Sequence, residues 1–381
     1  MRGERFVFCD RSTGRTIRQM TSAEAISHPT YFLQSSFLPG DDRIFFVSYR
    51  SGSPQIWDTG YPEGDFRQLT RGEAVHPFSP ALHPEGDEIV FTRGGGLWSV
   101  RLKSLADRLI ASWDGAQLGE PSISIDGQWL TAAFKRGPES GLVVARFDGR
   151  DAWTIPFPRT VIHPQFHPLE PEWIEFAGDP APRMHRVRRD GTGLECLLDH
   201  GNDEFVVHET FLGRTGDLVF TVWPKRLCTM DWTTRRVRTI CEYNAWHIAP
   251  NRAGSQILCD TNHPDEGIQI IDVASGARQM VCHSDATNGG SQWRTSRYAL
   301  AEDFARARSE AQSNLSWMEA AGDTVYGPQW THPHPSWSRD ERKVAFASDR
   351  TGITQVYVCE LDTRAPLAGQ DAAAAGGQPA A

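Results

Sequence analysis

The chain lacks the features that define several large protein classes. Its seven cysteines are scattered without a C-x-x-C pair, and most fall in apolar, strand-like runs. A free cysteine in such a run behaves as a small buried hydrophobe, so we expect reduced thiols rather than a disulfide framework. No run approaches the roughly 18 apolar residues of a membrane helix, and the first residues lack the apolar core of a signal peptide. These absences predict a cytoplasmic protein without a membrane partner.

Positive charge is also scarce. The 381 residues carry a formal net charge of −9, which argues against nucleic acid as a partner because polyanion binding needs a basic surface. An anionic substrate would therefore need a local cationic site. No G-x-S-x-G motif occurs, which excludes the propeller of a serine peptidase with its hydrolase domain. The 13 tryptophans and 34 glycines that the chain does contain favour an all-β fold with many turns.

The sequence repeats itself. Each unit has an aromatic or aliphatic anchor, a polar turn, two β runs and a short polar strand, and the anchors are Phe37, Leu82, Ile123, Phe166, Phe211, Ile248 and Trp337. A period of about 40–45 residues is typical of four-stranded propeller blades. The sequence therefore predicts an all-β, seven-bladed β-propeller over residues 1–364.

The last repeat departs from this spacing. The gap between Ile248 and Trp337 is about twice the usual length, which indicates an insertion at about 285–326 before the last blade. Within it, residues 298–320 have a helical composition, so we expect the insertion to be partly helical. Residues 15–21 resemble the outer strand that the last blade lacks, which predicts that the two ends of the chain pair to close the ring. Residues 365–381 consist mainly of Ala, Gly, Gln and Pro and are expected to form a disordered tail.

An imidazole-rich motif precedes the last blade. Gln329, His332 and His334 lie within six residues, and residues two apart in an extended chain point to the same side. Neutral imidazole is the commonest metal-binding side chain, and a Gln carbonyl adds an oxygen ligand. An isolated His-x-His in a proline-rich turn is more often a hydrogen-bonded turn pair. The propeller favours the metal site, because the inner strands of all blades begin beside the central channel.

Positions equivalent to His334 would form a ring at one mouth of this channel. They are Ser35, Ser79, Glu120, His163, His208 and Trp246, with His247 next to the last. We interpret His208 and His247 as functional, and we expect His163 to be a hydrogen-bonded residue of a blade entry. Arg214 follows His208 in a turn, where it is either an ordinary surface arginine or a residue that reaches the mouth.

A fourth metal ligand is available where blade six ends. His283 follows an apolar strand and begins the insertion, so its side chain can reach over the channel mouth towards blade seven. Together with Gln329, His332 and His334 it would make a neutral set of three nitrogens and one oxygen around a divalent cation. The set contains no thiolate, which argues against a structural zinc.

Several motifs together resemble one known family. Gln-x-x-His-Pro-His-Pro-Ser before the last blade, Trp-His-Ile before blade six, His-x6-Arg in blade five and Cys-Asp-Thr-Asn-His-Pro-Asp in blade six are similar to those of the oligogalacturonate lyases. The resemblance runs from about Gln19 to Leu361. It implies an intracellular, seven-bladed, pectin-degrading enzyme that uses Mn²⁺. It also implies manganese ligands at His283, Gln329, His332 and His334, catalytic residues at His247 and Arg214, and His208 lining the site.

The chemistry of such an enzyme agrees with these residue types. β-Elimination on a uronide removes the proton next to the carboxylate and expels the linked sugar, and a metal with neutral ligands stabilises the enolate-like state. We favour His247 over Arg214 as the base, because arginine is almost never deprotonated at neutral pH. Two alternatives stay open. One is a lyase of the same fold acting on another uronide, and the other is a non-catalytic TolB-like propeller that binds a protein partner.

Overall fold

The computed structural model describes residues 5–201, 203–261, 265–288 and 329–364. These residues form seven antiparallel sheets in chain order, which are the blades of a β-propeller. The architecture confirms the all-β, seven-bladed fold predicted from the repeats. The expected helical segment at 298–320 and the expected tail at 365–381 lie outside the described residues. Within the described ranges, no helix is long and apolar enough to cross a membrane.

Four strands make each of the first three blades, and they run outward from the channel in the order of the sequence. Blade one contains β3 (Ser27–His28), β4 (Arg43–Ser48), β5 (Gln55–Gly60) and β6 (Phe66–Gln68). Blade two contains β7 (Ala81–Leu82), β8 (Glu88–Arg93), β9 (Gly96–Arg101) and β10 (Asp107–Ser112). Blade three contains β11 (Gln117–Ile123), β12 (Trp129–Arg136), β13 (Glu139–Arg146) and β14 (Ala152–Pro156).

The next three blades follow the same plan. Blade four contains β15 (Thr160–Phe166), β16 (Trp173–Asp179), β17 (Met184–Arg188) and β18 (Glu195–Cys196). Blade five contains β19 (Phe205–Phe211), β20 (Leu218–Trp223), β21 (Arg226–Met230) and β22 (Val237–Cys241). Blade six contains β23 (Ile248–Pro250), β24 (Gln256–Cys259), β25 (Ile268–Asp272) and β26 (Arg278–Cys282).

Blade seven combines strands from both ends of the chain. A single 3₁₀ turn (Gln329–Thr331) leads into β27 (Ser336–Trp337), β28 (Lys343–Ser348) and β29 (Gln355–Arg364). The fourth strand is β2 (Arg15–Gln19), which pairs antiparallel with β29, and β1 (Phe6–Cys9) pairs with β2 as a fifth, outer strand. Ile17 and Met20 are fully buried beside this seam. The pairing confirms that the two ends of the chain close the ring.

Hydrophobic clusters fill the spaces between neighbouring blades. Trp337 and Phe346 of blade seven pack with Leu258 of blade six, and Phe45 of blade one packs with Phe91 of blade two. The second strand of each blade is buried on both faces, which explains why these strands are nearly continuous apolar runs in the sequence. Burial between the blades therefore holds the inner strands in a fixed ring around the channel.

Two histidines in the turns after the inner strands have structural roles. His83 Nε2 lies 3.0 Å from the carbonyl oxygen of Gly127, and His167 Nε2 lies 3.1 Å from that of Gly216. Each contact links one blade to the next. The Nδ1 atom of His83 accepts a hydrogen bond from the backbone of Glu85, so both ring nitrogens are used. The acidic residues near His83 therefore gain no metal ligand from it.

Candidate active site at the channel mouth

The inner strands depart from regular pairing where the predicted ring residues lie. β-Bulges shift the register between Ile162 and Gln165 and between Val207 and Thr210, at His163 and His208. His163, His208 and His334 have positive φ values of 54°, 57° and 44°. Such a backbone costs a non-glycine residue on the order of 1–3 kcal/mol and is concentrated at functional sites. The shared distortion brings these three imidazoles towards one another.

Five buried histidines form a histidine cluster: His163, His208, His247, His332 and His334. His247 is central, with its ring centroid 4.0 Å from that of His334, 4.6 Å from that of His208 and 5.5 Å from that of His332. One metal-ligating nitrogen from each of His247, His332 and His334 lies within 4.8 Å of the other two. We call these three residues the imidazole triad. Three converging nitrogens are the minimum that a catalytic metal site usually has.

Four of the six triad ring nitrogens have no partner among the described residues. Nε2 of His247, both ring nitrogens of His332 and Nε2 of His334 are buried without a hydrogen-bond partner in the part of the chain that the structure describes. Leaving a buried polar atom unpaired costs about 1–3 kcal/mol. Four such atoms in one place form a set of nitrogens that suits a bound ligand. A divalent cation fits, because neutral imidazole nitrogens are its common ligands.

Asp260 fixes the orientation of His247. Its Oδ1 atom accepts a hydrogen bond from the backbone N–H of His247 at 2.9 Å, and its Oδ2 atom accepts one from the backbone N–H of His334 at 3.2 Å. The same Oδ2 atom lies 2.8 Å from Nδ1 of His247. From this network we assign the ring proton of His247 to Nδ1. Its Nε2 atom then keeps a lone pair and faces the cluster. A carboxylate behind an imidazole is the usual support of a metal-binding histidine.

The site lacks positive charge. Burial lowers the pKa of His332 to about 4, and burial together with neighbouring histidines lowers the pKa of His247 and His334 well below the ordinary value. Burial also raises the pKa of Asp260 to about 7. No lysine or arginine of the described ranges pairs with Asp260. A bound cation would stabilise this carboxylate and use the neutral imidazoles, so the residues fit a divalent metal.

The structure brings two of the four predicted metal ligands together, His332 and His334. Gln329 lies in the 3₁₀ turn just before them, with its side chain outside the described residues. His283 does not join the triad. Its Nε2 atom lies 2.8 Å from Oγ of Ser12, and its backbone N–H donates to Asp10. These contacts hold His283 against the loop after β1, and His247 occupies the third position of the triad.

The predicted catalytic pair is separated. His247 is at the centre of the cluster, and His208, predicted to line the site, is its direct neighbour. Arg214 is exposed in the turn between β19 and β20, and its backbone N–H donates to the carbonyl oxygen of Arg252 in the matching turn of blade six. After His208, β19 continues away from the cluster to its end at Phe211, and Arg214 lies in the turn that follows. Arg214 therefore lies at the end of the inner strands opposite to the cluster.

An aromatic plug was not predicted. Tyr31 and Phe32, between β3 and β4, are buried among the histidines. The hydroxyl group of Tyr31 lies 2.8 Å from Nε2 of His163, and the ring of Phe32 lies 5.1 Å from that of His208 and 5.2 Å from that of His247. The repeat alignment gives no signal for this plug, because the other blades have no counterpart of the Tyr-Phe pair.

A buried ionic group lies behind His208. Arg183 donates to Glu209 from Nε at 2.9 Å and from Nη2 at 3.3 Å, and it also pairs with Asp179. Burial raises the pKa of Glu209, but the guanidinium of Arg183 and the nearby imidazole of His163, 3.9 Å away, outweigh it and hold that pKa below its ordinary value. Burial and the charge of Glu209 raise the pKa of Glu175 well above its ordinary value. Arg183 is thus engaged by carboxylates of the protein itself.

Fold and site together define a seven-bladed β-propeller with a buried imidazole cluster, able to ligate a cation, at one mouth of its channel. No family model matches the chain. Oligogalacturonide lyase of Pectobacterium atrosepticum is 22% identical over 393 residues, which cover 92% of this chain and 95% of that protein. A solved structure of an oligogalacturonate lyase in complex with manganese covers 94% of this chain and 96% of its own, with a TM-score of 0.77 and 19% identity. A TolB homologue of Chlorobium luteolum is 33% identical over 87 residues, which cover 23% of this chain and 19% of that protein.

The first two matches extend over nearly the whole chain, whereas the TolB match is confined to about a quarter of it. They confirm the resemblance to the oligogalacturonate lyase family that the sequence motifs indicated. The solved structure also confirms the propeller, since it has the same fold over almost its full length.

Proposed function

We propose that the protein is a metal-dependent lyase that cleaves short oligogalacturonides by β-elimination, in intracellular pectin breakdown. The observation that carries the proposal is the imidazole triad, whose ligating nitrogens lie within 4.8 Å of one another. The full-length similarity to oligogalacturonide lyases supports the substrate class. The similarity to a manganese complex supports Mn²⁺ as the first choice of metal.

His247, His332 and His334 would hold the cation, and Gln329 and His283 stay candidates for further ligands. The cation would act as a Lewis acid that stabilises the negative charge developing beside the uronate carboxylate. Because all these ligands are neutral, the site would keep the full positive charge of the ion. A chain of net charge −9 would then bind an acidic sugar through one concentrated cationic point.

His208 is the candidate base under this proposal. Its ring lies directly beside His247, and its Nδ1 atom has no hydrogen-bond partner among the described residues. Burial and the neighbouring imidazoles lower its pKa well below the ordinary value, so the ring is neutral near pH 7 and one of its nitrogens carries a lone pair. The proton next to the carboxylate would pass to His208 as the bond to the leaving sugar oxygen breaks. The hydroxyl group of Tyr31 is the candidate donor of the proton that this oxygen needs.

The decisive assay follows the ultraviolet absorbance of the unsaturated uronide product during incubation with digalacturonate, with and without a chelator. We expect product only with metal. His332→Ala should lose bound metal and activity while the circular dichroism spectrum keeps its β-sheet form. His83→Ala removes a histidine whose ring nitrogens are used inside the fold, so it should retain the metal. Full metal occupancy in His332→Ala would rule out the triad as the metal site.

The same assay separates the alternatives. A lyase for another uronide would leave digalacturonate intact and release unsaturated product from oligomers of a different uronic acid. A propeller that only binds a protein partner would give no product from any uronide in a panel, with or without added Mn²⁺.

A further inference from the structure

A cavity lies in the central channel on the side of the aromatic plug that faces away from the histidine cluster. It is open to solvent and has a volume of about 280 Å³. Pro168, Gly213 and Pro250 line it at or just after the ends of the inner strands of blades four, five and six. The cavity therefore runs inward from the mouth opposite to the cluster, and we call it the far cavity.

The lining of the far cavity is polar in part but uncharged. Its residues with an amide or hydroxyl group are Gln34, Ser35, Gln165, Thr210 and Ser336. None of the lining residues in the described part of the chain carries a charge, so no lysine or arginine repels a cation there. Amide and hydroxyl oxygens and water are suitable ligands for hard divalent cations, and a polar cavity of this size holds water. The far cavity is therefore a passable path for a hydrated divalent ion.

The side chain of Phe32 lies between the far cavity and the imidazole triad. It lines the cavity, and its ring centroid lies 5.2 Å from that of His247 and 5.1 Å from that of His208. Phe32 is only 2% exposed, and each residue of the triad is at most 1% exposed. An ion therefore reaches the triad nitrogens only when a neighbouring side chain moves.

The far cavity gives the ring of Phe32 room to move. A cavity of about 150 Å³ is large enough to hold a benzene molecule, and the far cavity is larger than that. Phe78 also packs against a triad histidine, with its ring centroid 5.5 Å from that of His334, but it does not line the far cavity. Rotation of Phe32 into the far cavity would connect the triad to the solvent in the channel.

We propose that Phe32 is a gate, and that the triad exchanges its divalent cation with solvent through the far cavity, an inference that rests on the metal site of the proposed function. With the ring swung into the cavity, Nε2 of His247 faces a water-filled path to the far mouth. With the ring in its observed position, the path is closed and the ion is retained. Metal exchange thus uses the mouth opposite to the one at which the oligosaccharide would bind.

The rate of metal loss tests the gate. Protein loaded with Mn²⁺ is mixed with a chromogenic chelator, at concentrations where the rate no longer depends on the chelator. Phe32→Ala should release Mn²⁺ about tenfold faster or more, because the ring contacts that keep the path closed are lost. Phe78→Ala is the matched control, since it removes the same ring beside a triad histidine without opening the far cavity, and it should stay within about threefold of wild type. Equal rates for the two variants would overturn the gate.

A variant that narrows the far cavity separates an exchange path from a general loosening of the site. Gln34 lines the cavity and is partly exposed, so Gln34→Trp should obstruct the path. It should slow Mn²⁺ release from the otherwise wild-type protein and cancel most of the acceleration in the double variant with Phe32→Ala. A purely structural role of Phe32 predicts that Gln34→Trp changes neither rate, and that result would refute the gate. Phe32→Leu should give an intermediate rate, and it replaces Phe32→Ala if circular dichroism shows that the alanine variant has lost the propeller.

Metal release is measured without substrate, so the gate and the proposed reaction fail separately. A protein whose Mn²⁺ release depends on Phe32 and Gln34 but which forms no product from digalacturonate keeps the gate and refutes the reaction. A protein that cleaves digalacturonate while both variants release Mn²⁺ at the wild-type rate keeps the reaction and refutes the gate.

Discussion

His247 can be a metal ligand or the general base, and two alanine variants distinguish these roles. Its Nε2 atom is one of three converging nitrogens, while Nδ1 is engaged by Asp260. His247→Ala therefore removes a ligand and leaves the buried carboxylate of Asp260 with only its two backbone hydrogen bonds. Loss of a supporting residue behind a ligand costs about 10–100-fold in metal affinity, so loss of the ligand itself should cost at least that much. Asp260→Asn should lower the metal affinity by about 10–100-fold.

His208→Ala should behave differently. His208 contributes no nitrogen to the triad, so the metal content should stay at the wild-type level. Loss of a general base lowers kcat by about 10²–10⁴-fold, which corresponds to roughly 3–5 kcal/mol in the activation free energy.

Three measurements on each purified variant are sufficient. Elemental analysis after dialysis gives the metal content, and the ultraviolet assay at saturating Mn²⁺ gives kcat and KM. Circular dichroism checks that each variant keeps the propeller. A His247→Ala protein that retains stoichiometric metal and loses only kcat would refute our assignment and restore His247 as the base.

Three further changes have defined outcomes. Deletion of residues 1–20 should destabilise the protein far more than deletion of 366–381, as measured by urea unfolding, because it removes β2 and exposes the edge of β29. Equal midpoints would contradict closure by the terminal strands. Arg183→Met should lower the free energy of unfolding by about 3–5 kcal/mol, since it leaves buried carboxylates without their cation. The pKa of Glu209 is lowered in the folded protein, so the stabilisation by Arg183 is present above the unfolded pKa of a glutamate. It is lost as the pH falls towards the lower folded pKa. Arg214→Lys should keep near-normal kcat and KM because the side chain is exposed away from the cluster, and an inactive variant would return Arg214 to the catalytic site.

The fold was predictable because every blade repeats the same local sequence pattern. Anchors such as Phe37 and Trp337 recur, each followed by a polar turn and an apolar strand. The strand must be apolar because it is buried between neighbouring blades. The closing strand was predictable for the same reason, since Arg15–Gln19 has the composition of an outer strand.

The site was predictable only where it follows from position within the repeat. His208 lies within an inner strand, His247 and His334 lie just before inner strands, and all three reach the cluster. His283 and Arg214 were predicted from the family resemblance and from their positions beyond a strand, where the direction of a side chain depends on tertiary contacts. Ser12 and Asp10 hold His283 in place, and the turn of blade six holds Arg214. These contacts join distant segments, so spacing along the chain does not reveal them.

Asp260 illustrates a different reason for a missed residue. It stands directly after β24 within the Cys-Asp-Thr-Asn-His-Pro-Asp motif, so the sequence did contain a signal. Its role depends on two backbone N–H groups, from His247 and His334, which meet only when blades six and seven are adjacent. An aspartate in a motif cannot be distinguished from a turn residue until those partners are known.

Closure of the ring by both ends of the chain also sets the order of events during synthesis. Chains fold largely from the N-terminal side as they emerge from the ribosome, yet β2 must wait for β29, which is synthesised more than 300 residues later. His332 and His334 stand immediately before the blade that this late pairing completes. The imidazole triad can therefore assemble only when almost the whole chain has emerged. A nascent chain that ends before His332 would hold only His247 of the three, so a complete triad requires that nearly all of the chain has been synthesised.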